Sequence, residues 1–109
     1  MDNQPETVIC TFRVRPDCLD EFLGLRPRHH DTLRRLELIT DTPPRTYLGE
    51  EQAGPGPVVV DIFEWIDAEA SSRAHGHPEV AALWEKMEDL CEARHGLASM
   101  DFPHFRLVG

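Results

Sequence analysis

An α+β fold with a four-stranded antiparallel sheet is predicted by three features of this 109-residue chain. The first is an apolar run, Val58-Val59-Val60-Asp61-Ile62-Phe63-Glu64-Trp65, with apolar side chains on both faces, as in a strand covered from two sides. The second is the turn cluster Gln52-Ala53-Gly54-Pro55-Gly56-Pro57, which joins that run to a strand before it. The third is a helical stripe, Val80, Leu83, Trp84, Met87, Leu90 and Cys91, opened by Pro78 at a natural first helical position.

Taken from the start, a polar tail over residues 1–6 precedes Thr7 to Val14, an alternating segment rich in β-branched residues whose apolar face is Val8, Cys10, Phe12 and Val14. Pro16 and Asp17 open a helix with Leu19, Phe22 and Leu23 as its buried stripe; Asp17, Asp20 and Glu21 complement the positive end of its dipole. Gly24 and Pro27 predict a kink or restart, because an interior proline removes a ladder bond and clashes with the preceding turn. The second piece runs to about Leu38, with Leu33 and Leu36 inside and His29 and His30 on either flank of that stripe.

Arg45 to Glu51 reads as a second, more polar strand containing Tyr47 and Leu48. After the central strand, Asp67 caps a short helix from Ala68 to His75, whose Ala70 and Ala74 permit close approach to the sheet. Gly96 is a stop signal, and Met100 to Val108 is a last strand that Pro103 confines to an edge or a bulge. The order β-α-β-β-α-β is the split βαβ, ferredoxin-like arrangement, with both helices on one face of the sheet and residues 1–109 forming a single domain. Val58, Val60 and Ile62 point one way while Val59, Phe63 and Trp65 point the other, so one apolar face needs a partner, and a homodimer packed sheet to sheet supplies it.

Composition bounds the function. A net charge of −9 and a pI near 5.0 disfavour nucleic acid and anionic membranes, which demand a basic footprint. No stretch approaches the ~20 apolar residues of a membrane span, and the first residues lack signal-peptide features, so a cytoplasmic location is expected. Cys10, Cys18 and Cys91 are odd in number and unpaired in spacing, which reads as reduced thiols.

The sequence resembles the dimeric α+β barrel proteins, particularly those with an antibiotic-biosynthesis-monooxygenase type domain. The likeness spans nearly the whole chain and is strongest where the apolar strand ends in Glu64-Trp65, followed by Asp67-Ala68-Glu69-Ala70, His75 and the Pro-initiated helix. It implies a homodimer acting on a small aromatic or apolar organic molecule by cofactor-independent oxygenation or isomerisation, with no cofactor of its own. Haem degraders of that group carry a ligand histidine well inside the second helix, where this chain has Leu83, Trp84 and Met87. The alternative reading is a non-catalytic protein that binds a small ligand or only dimerises.

Several side chains are candidates for chemistry. His30 and His75 are proton-transfer candidates, because an imidazole's ordinary pKa of ~6.5 suits acid–base work near neutrality. Asp61 and Glu64 lie on opposite strand faces, so one can line a pocket; Asp61 is the partner or base, and Glu64 is expected in an inter-subunit salt bridge. Tyr47, Trp65 and Trp84 are expected as pocket wall, with Trp84 mostly buried, and Arg26 as an attractor of an anionic substrate. No metal is expected, since the six histidines show no recognised ligand spacing.

Overall fold

The computed structural model describes residues 4–109; the first three residues of the predicted polar tail lie outside the described part. The elements are β1 (Glu6–Arg13), a 3₁₀ turn (Pro16–Cys18), α1 (Leu19–Arg35), β2 (Arg45–Gly49), β3 (Val58–Trp65), α2 (Ala70–His75), α3 (Pro78–Asp89), β4 (Met100–Asp101) and β5 (His104–Phe105). The sheet is antiparallel throughout, in the order β2-β3-β1-β4, with β5 also paired to β1. This is the ferredoxin-like α+β arrangement.

The predicted last strand appears as two short pieces. Pro103 has no N–H to give the ladder, yet its carbonyl accepts from Ile9 N at 3.1 Å, so the chain stays on the edge. Thr11 faces Asp101 and Thr7 faces Phe105, so both strands advance equally between the two pieces and no bulge intervenes. Arg106 to Val108, expected as strand, carry no ladder.

Helix α1 corrects a second expectation. It runs unbroken from Leu19 to Arg35 through Pro27. Phe22 and Leu25 before the proline and His29, Thr32 and Leu33 after it are all buried, so packing along one face outweighs the lost hydrogen bond, and Pro27 itself is exposed. The helix also ends earlier than Leu38. Glu37 takes a left-handed φ of 58°, Glu37 N donates to Arg34 O, and Leu38 N donates to Leu33 O at 2.9 Å. This paired closure is a Schellman motif with glutamate where glycine is usual. It turns Leu38 and Ile39 into the core, and the following segment runs beside the end of β3, with Thr40 N donating to Glu64 O.

Strand β3 sorts its residues by parity. Val59, Asp61, Phe63 and Trp65 are buried beneath the helices, whereas Val60, Ile62 and Glu64 are only half-buried on the opposite face. Register carries the same division across the sheet. Val8, Cys10 and Phe12 of β1 face the helices, and Ile9 and Thr11, opposite Ile62 and Val60, share the outer face.

Candidate active site

A cavity of about 520 Å³ opens between the helices and the sheet. Val8, Cys10, Phe12, Phe63 and Trp65 form its floor, Ser71 and His75 of α2 and Ala81, Trp84, Glu85, Met87 and Glu88 of α3 its walls, and Met100, Phe102 and His104 its edge. His29 reaches it from α1. The size lies within the range of small-molecule sites, and the mostly apolar wall with few polar groups is their usual character.

Of the predicted wall, Trp65 and Trp84 line the cavity and Tyr47 does not. Tyr47 pairs with Val60, so parity places it on the outer face, about half exposed. Trp84 packs against the core and is mostly buried as expected, though less completely than Val80, Leu83 and Met87, and it lines the cavity. There its Nε1–H donates to His29 Nε2 at 2.8 Å, and His75 stands edge-on to its ring at 4.8 Å between centroids. An indole can only donate, so His29 Nε2 is an acceptor and the ring proton sits on Nδ1. Burial, aided by Arg26 and His30, holds the His29 pKa well below the ordinary imidazole value, so it is neutral.

His30, Asp61 and Arg26 do come together, but behind the cavity wall. Asp61 is completely buried; its carboxylate accepts from Arg26 Nη2, from Thr46 Oγ1 at 2.9 Å and from His30 Nε2 at 2.9 Å. His30 Nε2 also lies 3.0 Å from Arg26 Nη2, so Arg26, His30 and Asp61 form one closed cluster. Burial first, then the guanidinium groups of Arg26 and Arg34, push the His30 pKa down to about 4. Asp61, which would favour an imidazolium, already shares its charge with Arg26.

Arg26 also packs on the rings of Phe12 and Phe22, 5.4 and 5.7 Å from their centroids. It is not on the cavity wall, which removes the basis for its reading as an attractor of anionic substrate. Donor atoms of His29, His30 and Asp61 lie within 4.8 Å of one another, close enough for a metal. The cation at this carboxylate is Arg26, and Trp84 uses the outer nitrogen of His29, so the donor set suits a salt bridge better than an ion.

Within the chain Glu64 accepts from Thr40 Oγ1 at 2.7 Å and from Thr42 Oγ1 at 3.1 Å. Cys10, Cys18 and Cys91 are free thiols. Cys10 touches the cavity, but burial pushes its pKa up to about 12, so it is no nucleophile at neutral pH. The residues that sequence reasoning missed are His29, which looked equivalent to His30 on the helix flank, and His104 on the strand edge. The signal for His29 was Trp84, whose N–H demands an acceptor when turned inward.

No family model and no curated relative matches the sequence. Solved structures do. SnoaB, a cofactor-independent oxygenase from Streptomyces nogalater, superposes with a TM-score of 0.66 at 19% identity, over 97% of this chain and 95% of that one. An antibiotic biosynthesis monooxygenase gives 0.68 at 19% identity, over 95% and 99%. A dimeric ferredoxin-like protein of unknown function from Jannaschia sp. CCS1 gives 0.69 at 12% identity, over 94% and 99%. At these identities the common property is architecture, and the chain has the ferredoxin-like α+β fold of antibiotic-biosynthesis-monooxygenase-like proteins.

Proposed function

We propose that the chain is a small-molecule enzyme that binds an aromatic or apolar organic substrate in the cavity and acts on it by cofactor-independent oxygenation or isomerisation. The observation that carries this reading is the cavity itself: about 520 Å³, walled by Trp65, Trp84 and Phe63 and reached by His75. The likeness to a cofactor-independent oxygenase supports it at the level of architecture.

In this reading His75 is the proton-transfer group, since it lines the cavity and is exposed enough to exchange its proton with water. It takes a proton from a phenol or an acidic C–H of the bound substrate. In the oxygenation, the resulting carbanion gives electrons to O₂; a CH₂ becomes C=O, one O₂ is consumed and one water leaves, with no external reductant. In the isomerisation, the same proton returns to another carbon and no O₂ is used. His30 and Asp61 act at a distance, as the buried clasp that fixes α1 and with it His29.

The test is an oxygen electrode and product analysis with a panel of polycyclic phenols. His75→Ala should lower turnover by roughly 10²–10⁴-fold, the usual share of a general base, with the fold intact by circular dichroism. Tight binding of panel compounds with no change in them and no O₂ uptake would favour the non-catalytic alternative.

A further inference from the structure

We infer that the molecule this cavity takes is an arylalkylamine in its protonated form, its ring body among Trp65, Phe63 and Trp84 and its ammonium at Glu85 and Glu88. The inference rests on the reading of the cavity as a small-molecule site and adds the charge of the occupant. No Lys or Arg side chain lines the cavity, whereas Glu85 and Glu88 both do. These carboxylates stand one turn apart on α3, both are exposed, and neither has an ion-pair partner within 4.0 Å among the described residues.

The cation that could have answered them, or answered an anionic ligand, is out of reach. Arg26 is committed to Asp61 and packed against the adjacent rings of Phe12 and Phe22. An anionic ligand would thus meet two uncompensated negative charges at the wall and no positive one. An ammonium there gains the Coulomb attraction of two carboxylates, each modest because both are exposed to solvent, and the Trp84 indole adds the attraction of its quadrupole for a cation.

Three probes of one shape test this by isothermal titration at pH 7.5 and low salt: 2-naphthylmethylammonium, 2-naphthalenemethanol and 2-naphthoate. The ammonium should bind at least about tenfold more tightly than the carboxylate, with the alcohol between them. Glu85→Gln with Glu88→Gln, both exposed changes, should bring the three within roughly threefold of one another while leaving the alcohol unchanged. If the alcohol binds but the carboxylate binds as tightly as the ammonium, or the double variant keeps the ranking, the charge inference is overturned and the cavity reading stands. If none of the three binds at ~1 mM, both fall.

Discussion

Asp61 gathers three donors from two elements, Arg26 and His30 of α1 and Thr46 of β2, and its burial makes it a point where residue chemistry and stability meet. Removing it would leave Arg26 charged and unpaired in the interior, so Asp61→Ala should cost about 3–5 kcal/mol in urea unfolding. A combined Asp61→Leu and Arg26→Met change, which removes both charges, should recover most of that loss. The neighbouring histidines make a second prediction. Both are neutral in the fold, with the His30 pKa near 4 and that of His29 well below its ordinary value, whereas in the unfolded chain each takes a proton near pH 6.5. Below pH 6.5 the unfolded state binds more protons, so their contribution to stability is complete above that pH and is lost as pH falls toward 4. His30→Asn should flatten the slope of the urea midpoint over this window. Nitrogen-15 spectra at pH 6 should show the Nδ1–H tautomer for His29; a titration of His30 near 6.5 would contradict the buried clasp.

Among the elements, β3 was fully legible: the apolar run from Val58 to Trp65 and its flanking turn residues coincide with the strand. Pro78 likewise marks the start of α3. Local signals failed where tertiary packing decides. The proline rule predicts a break at Pro27, but a single buried stripe spans both halves of α1, and sequence alone does not show how much a stripe will bury. Of the site, Trp65, Trp84 and His75 were readable as cavity residues, while the Trp84–His29 bond joins residues 55 apart and leaves no local pattern. Gly24 is exposed inside α1, and a Cβ there would meet nothing within 4 Å, so Gly24→Ala should stabilise by about 1 kcal/mol in thermal or urea unfolding. Glu37→Gly should also stabilise, by relieving a left-handed backbone in a residue that has a side chain.

At the scale of the whole molecule, the sheet face opposite the helices presents Ile9, Val60, Ile62 and Tyr47, none of them fully buried within the chain. We propose that a second copy covers it. A face of ~800 Å² per partner is the size of a standard stable interface, so sedimentation at micromolar concentration should give a dimer. Val60→Glu should shift it toward monomer without emptying the cavity, because Val60 points away from it. The parity of β3 has a wider consequence. Phe63 and Trp65 floor the cavity while Val60 and Ile62 face the proposed partner, so the two duties fall on interleaved but disjoint sets of codons. Substitutions can diversify what is bound while assembly stays constant, and the reverse; a one-residue insertion or deletion within the strand exchanges the two sets and abolishes both at once.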